Sequence, residues 1–463
     1  MLDAPGDSGK VLTALGPLQD RLTALVDAGL ASGQLQESPE LFVQWQAVDP
    51  KATDTGPEIA QSSRVSTVRS TWTRARLQVL TAAQSLPEYA SAEAALPLRV
   101  GWMRSVTDWF TLNLADALLA DHTRPCAAAM GLIEQVTAVV EGQPLRARAT
   151  VDLGGIRVAS PGMELHLGTT RVTLRRPELE DLQPELNEHM AMLEGRELRH
   201  NMVSAIATID MDWSSPTASR TEVERLQSLL RLFVVTSARY LRVNEELTAP
   251  LHEDMGTLTV GPDEHSYEQA TIRPGDLPKL QTLAAAVWVN LPIGHVGLPE
   301  AEPTPVTTAF RRYCDALLRD GTILERRFAS AVMGLESLYL PAKQDGELSF
   351  RLRTGVGRVM EELGFDGRAV EAEVAYCYGV RSAYVHGGHL SGKLRASGEK
   401  KFGNLQDLLR RLLNYLRVSI VMSLLLELPK EDLLTAVNDA MVSAKGSLGL
   451  AQILSPAKKL IEG

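Results

Sequence analysis

The segment Tyr378-Gly379-Val380-Arg381-Ser382-Ala383-Tyr384-Val385-His386-Gly387-Gly388 reads as the closing turns of a helix that starts near residue 369. Gly387 and Gly388 supply the stop, because glycine enters the left-handed conformation that ends a helix at little cost. His386 then occupies the last turn, where the carbonyl end of the helix favours an imidazolium by a few tenths to about 1 kcal/mol. Arg381 opposes that charge. Five residues apart, Arg381 and His386 differ by about 140° in azimuth, so they do not stack, yet the arginine is long enough to curl toward the imidazole. Ser382, four residues before His386, shares its face.

Outward from this segment the pattern stays helical, with expected helices at 306–319, 323–340, 348–363, 369–386, 404–428 and 430–445. That count suits an all-α bundle. Its upstream limit is the stretch 298–305, which places three prolines and two glutamates in eight residues and marks the best domain boundary. Before it the period changes to two. Residues 145–153 alternate as LRARATVDL, and 164–167, 170–174, 204–213, 257–260 and 268–272 add further strand candidates, with an amphipathic helix expected over 221–241. From residue 11 to 142 the period is helical again, Leu12, Leu15, Leu18, Leu22 and Leu25 recurring three or four apart, broken by a polar stretch at 37–64 that reads as a long loop. The expected fold is therefore multidomain α+β: a helical N-terminal region (1–142), a mixed antiparallel-strand and helix middle domain (143–297), and a helical C-terminal domain (304–463).

At 463 residues the chain exceeds what one core usually fills, and 44% apolar with 22% charged residues is ordinary globular composition. The net charge of −10 disfavours a surface given over wholly to nucleic acid but allows a local basic cleft. Cys126, Cys314 and Cys377 are scattered without CxxC spacing and read as buried free thiols, which fits a reducing, cytoplasmic setting. No basic-then-apolar leader opens the sequence. The longest near-apolar run, 418–426, falls short of the roughly 20 residues needed to cross a bilayer, so no membrane association is expected.

The chemistry legible at the Arg381 segment is that of a phosphodiester: His386 as general acid or base, Arg381 as a phosphate clamp and Ser382 as a hydroxyl. With RNA the 2′-hydroxyl is a built-in nucleophile, so neither metal nor cofactor is called for. The same residues also read without chemistry, as a helix-capping histidine and an ion-pairing arginine, and an arginine-x4-histidine match is weak alone. Between His386 and Arg417, seven basic residues, Lys393, Arg395, Lys400, Lys401, Arg410, Arg411 and Arg417, face Glu399 and Asp407, a local charge of +5 that reads as an RNA backbone track or as a solvated flexible loop. Tyr376, Tyr378 and Tyr384 are candidates to stack on bases or to pack in the core. Glu336 borders the apolar stripe Leu324, Phe328, Val332, Leu335 and Tyr339, where a carboxylate needs a partner, and an ion pair with Arg381 or another arginine is the favoured reading.

Three blocks together carry a family resemblance. Phe328-Ala329-Ser330-Ala331-Val332-Met333-Gly334-Leu335-Glu336-Ser337-Leu338, then Gly346-Glu347-Leu348-Ser349-Phe350-Arg351-Leu352, then Arg381 to Gly388 resemble, in order and spacing, the motifs of Apea-like HEPN domains over about 150 residues. The resemblance implies a helical bundle that dimerises through the C-terminal domain to bring two arginine-histidine motifs to one cleft. It implies a metal-independent endoribonuclease in which His386 manages the proton and Arg381 stabilises the phosphorane, with Ser382 as the third catalytic residue and Glu336 and Tyr384 in support. It further implies a toxin or abortive-infection effector against phage, held in check by the first 300 residues until a phage-derived or other protein activator engages them. Gly355 departs from the pattern, since relatives often carry arginine there. The rival reading is a HEPN dimer that binds RNA, nucleotide or protein without cutting.

Other motifs weigh less. GGHLSGK at 387–393 matches part of a P-loop but follows a helix, and Leu394 replaces the Ser or Thr that would hold Mg²⁺. His386 and His389 lack further ligands at metal spacing. Asp210 and Asp212 fall on one face of a strand and suffice for no site.

Overall fold

The computed structural model describes residues 7–48, 51–53, 56–58, 61–97, 99–100, 104–120, 125–182, 203–214, 218–259, 269–293, 303–318, 323–341, 346–388 and 390–462. The N-terminal region packs α1 (Asp7–Ser32) against α3 (Pro87–Ala95), α4 (Val106–Ala120) and α5 (Pro125–Val140), with α2 (Thr73–Ala83) on α4. The leucine repeat read from sequence buries Leu15, Leu18 and Leu22 completely, while Leu12 is exposed.

This region is not purely helical. The polar stretch expected to be a loop lies within a hairpin, β1 (Ser38–Val48) pairing antiparallel with β4 (Gln61–Thr71) from Ser38 opposite Thr71 to Val48 opposite Gln61, with the short pair β2 (Lys51–Thr53) and β3 (Gly56–Glu58) beyond it. Serine, threonine and glutamine mimic loop composition, but β4 also holds β-branched residues, and the ladder satisfies the backbone groups whatever the side chains are. Two further short strands, β5 (Arg99–Val100) and β6 (Arg104–Ser105), pair just before α4.

The middle region forms a six-stranded antiparallel sheet in the order β13-β12-β7-β11-β10-β9, built from β7 (Arg146–Gly154), β9 (Met163–Leu167), β10 (Thr170–Arg175), β11 (Ala205–Asp212), β12 (Arg239–Ala249) and β13 (Glu253–Thr259). Period-two burial along β9 and β10 aims one face at the core. α6 (Ala218–Phe233) packs on that sheet at β7, β11 and β12, and α7 (Leu277–Val287) at β9. β8 (Ile156–Val158) and β14 (Ala270–Ile272) pair in parallel. The expected helix over 221–241 stops at Phe233, and residues 239–249 form β12, in which charged side chains alternate with the buried Leu241, Val243 and Leu247. A period of two inside an apparent helix was the signal.

Among the described residues the C-terminal region is helical, with α8 (Pro305–Leu318), α9 (Leu324–Tyr339), α10 (Leu348–Glu362), α11 (Gly367–Val385), α12 (Gly392–Phe402), α13 (Leu405–Leu426), α14 (Lys430–Val442) and α15 (Ala444–Glu462). α13 is its axis: it touches α8, α9, α11, α12 and α15, and it also meets α6 and α7 of the middle domain. The stripe Leu324, Phe328, Val332, Leu335 and Tyr339 is buried, each such side chain contributing about 1.5–3 kcal/mol on removal from water. The linker expected at 298–305 lies outside the described residues up to 302. Among the described residues no single helix is long and apolar enough to cross a membrane.

Candidate functional site

The site is set by the end of α11. Asp366 starts this helix, its carboxylate accepting from the backbone amides of Arg368 and Ala369 at 3.1 Å each. At the other end Gly387 takes φ +79°, Gly387 N–H donates to Tyr384 O at 3.0 Å, and Gly388 N–H donates to Ala383 O at 2.8 Å. This is a Schellman closure, as the two glycines led the sequence to suggest. It leaves His386 exposed at the helix end.

Midway along α11 the buried Glu373 ties the helix to α13. It accepts from Arg411 Nε at 2.8 Å and from Tyr415 OH at 2.9 Å. Burial, followed by the charge of Glu373, pushes the Tyr415 phenol well up, so this phenol stays a donor. Nothing in the sequence singled Glu373 out. Its one trace is a carboxylate between the apolar Val370, Val374 and Cys377.

Arg381 does not reach toward solvent. Its Nη2 donates to Glu336 Oε2 of α9 at 3.0 Å, and its guanidinium carbon lies 5.7 Å from the centroid of the Tyr378 ring. The pair is half-hidden, with side chains 23% and 16% exposed, and Nε of Arg381 is buried without a partner. Burial raises the Glu336 carboxyl against the pull of Arg381. Ser382 and Tyr384 are half-buried beside the arginine. The structure thus joins Arg381 to Glu336 and keeps His386 on the exposed rim of the same helix end. Gly355, the departure from the family pattern, is buried, and a Cβ there would face Tyr339 and Val437 at 3.7 and 3.9 Å. An arginine at that place would push its charge toward apolar core.

The basic stretch after the motif is a helix, not the flexible loop weighed against the RNA track. Ser391 caps α12 through Leu394 N–H at 3.2 Å, and Tyr376 OH donates to Leu394 O at 3.2 Å. Lys393, Arg395, Lys400 and Lys401 are exposed on it. Of the seven cations, Arg411 is held by Glu373, and Arg417 by the carbonyls of Leu232 and Phe233 at 2.7 and 2.9 Å. Between α12 and the starts of α9 and α13 lies a pocket of about 560 Å³, lined among others by Arg395, Glu325, Glu399, Asn404 and Gln406.

The minor motifs resolve simply. GGHLSGK joins two helices, so it lacks the strand a P-loop requires. His389 lies outside the described residues. Asp210 is held by Arg148 at 2.7 Å and Arg171 at 3.1 Å, and Asp212 is held by Arg146. The two arginines hold the Asp210 carboxyl below its ordinary range against the effect of burial. Cys377 is buried and Cys314 half-buried, both as free thiols; the Cys126 side chain lies outside the described residues.

Comparison with protein-family models, with curated proteins and with solved structures yields no match to this chain.

Proposed function

We propose that the C-terminal domain is a metal-independent endoribonuclease of HEPN type, with His386 and Arg381 as its reacting groups. The observation that supports this most is the placement of an exposed imidazole at a helix end carrying a guanidinium, followed within a few residues by a helix bearing Lys393, Arg395, Lys400 and Lys401. An RNA strand on α12 brings a phosphodiester to the end of α11. His386 takes the 2′-hydroxyl proton or returns one to the leaving oxygen, and Arg381 meets the charge on the phosphorane. Ser382 and Tyr384 line the approach. A second copy completes the cleft, and a regulated toxin or anti-phage effector is the setting the resemblance implies.

A second reading has its own observation: Arg381 is occupied by Glu336 and Tyr378, as in a binder that never cuts or an enzyme at rest. Incubating the full chain with total cellular RNA in EDTA separates them. Cleavage by the native chain and at least about 100-fold less by His386→Ala and Arg381→Ala supports the ribonuclease. Intact RNA retained on the protein, with binding weakened by Lys400→Glu and Lys401→Glu, supports the binder.

A further inference from the structure

A cavity of about 600 Å³ opens between α6 of the middle domain and α8 of the C-terminal domain, walled by Arg231, Ile293, Pro303, Phe310 and Cys314. That is the size of an ordinary small-molecule site. Arg231 is only 5% exposed. Its Nε donates to Ala238 O at 2.7 Å and its Nη1 to Cys314 Sγ at 3.3 Å, one neutral carbonyl and one weak sulfur acceptor. Among the described residues no carboxylate forms an ion pair with it. Asp315, on the same wall, lies 3.5 Å from Arg312 instead. Burial raises the Cys314 thiol against the pull of Arg231, so the sulfur stays protonated and brings no negative charge.

A buried cation without a counter-charge is costly, and a cation facing a cavity has room for one. We infer that this seam cavity binds a small organic anion, its phosphate or carboxylate on Arg231 and its apolar or ring-shaped body against Phe310, Ile293 and Pro303. Arginine offers two parallel donors to either oxyanion, so the two head groups share one recognition chemistry. Since the cavity has walls from both domains, the ligand holds α6 and α8 together.

Calorimetric titration of the full chain tests this with three probes, phenyl phosphate, adenosine 5′-monophosphate and phenylacetate, the first two distinguishing phosphate from the carboxylate of the third. The expected result is binding of at least one probe at millimolar concentration or below. Arg231→Gln is expected to weaken it at least about tenfold. Thr308→Trp, which fills the cavity and leaves Arg231 in place, is expected to abolish it with little change in melting temperature. No heat from any probe overturns the inference, and so does binding that survives Thr308→Trp. If Arg231→Gln does not fold, Thr308→Trp alone decides. No RNA enters this measurement, so it stands or falls apart from the ribonuclease proposal.

Discussion

Glu336 is the residue at which sequence and structure meet most closely, because a carboxylate beside an apolar stripe had to find a cation and Arg381 is 3.0 Å away. The pairing does not cancel the cost of burial: the Glu336 carboxyl remains raised above its ordinary value of 4.5. Its sign for stability follows. Above pH 4.5 and up to the raised value the folded chain holds a proton that the unfolded chain has lost, so stability falls as pH climbs through that window. Asp116 and Glu245, also raised by burial, act in the same direction. Glu336→Gln is expected to flatten this fall without abolishing it, which urea midpoints of both chains from pH 4.5 to 7 would show. An unchanged slope would mean that Glu336 titrates normally. The same substitution frees Arg381, and RNA cleavage that rises in Glu336→Gln would identify the ion pair as a restraint on the arginine, whereas cleavage that falls would identify it as a support.

At the scale of the element, α12 depends on one small residue. A Cβ at Gly398 would lie 2.2 Å from Tyr376 OH, and Tyr376 is itself fixed to Leu394 O and packed on Phe402 with ring centroids 5.4 Å apart. Gly398→Ala is therefore expected to unseat α12 at a cost of about 1–3 kcal/mol, while Gly449→Ala in α15, which meets nothing within 4 Å, is neutral or stabilising by up to about 1 kcal/mol. Hydrogen exchange along 392–402 is the readout: faster exchange in Gly398→Ala alone is the expected pattern. If α12 carries the RNA, the same variant loses affinity for RNA while His386 and Arg381 keep their places.

Across the whole molecule, the seam between the middle sheet region and the C-terminal helices converges on the end of α6. Arg417 from α13 donates to the carbonyls of Leu232 and Phe233, and Tyr313 from α8 donates to Arg231 O at 2.9 Å. These carbonyls have no partner within their own helix, and a cation is favoured at that end of the dipole. Burial lowers the Arg417 guanidinium from its ordinary range. Arg417→Met strips a buried helix end of its donors and is expected to cost about 2–4 kcal/mol in urea unfolding, with the loss concentrated at this junction. A change below about 0.5 kcal/mol would mean that water replaces the guanidinium there.

Local pattern alone was enough for the elements whose period is unbroken: the helices from 305 to 442 other than α12, the strands of the middle sheet from β7 to β11, and the glycine closure of α11, because each rests on local backbone preference and on burial of one face. It could not distinguish the β1–β4 hairpin from a loop or β12 from the tail of a helix, since polar composition and a short alternation are outweighed only once partner strands supply the hydrogen bonds. Nor could it allot the arginines. Arg381, Arg411 and Arg417 look alike in sequence, and only tertiary structure gave the first to Glu336, the second to Glu373 and the third to the carbonyl end of a helix 185 residues away. A long, always-charged side chain takes the nearest acceptor in space, and that nearness exists only after the domains have packed.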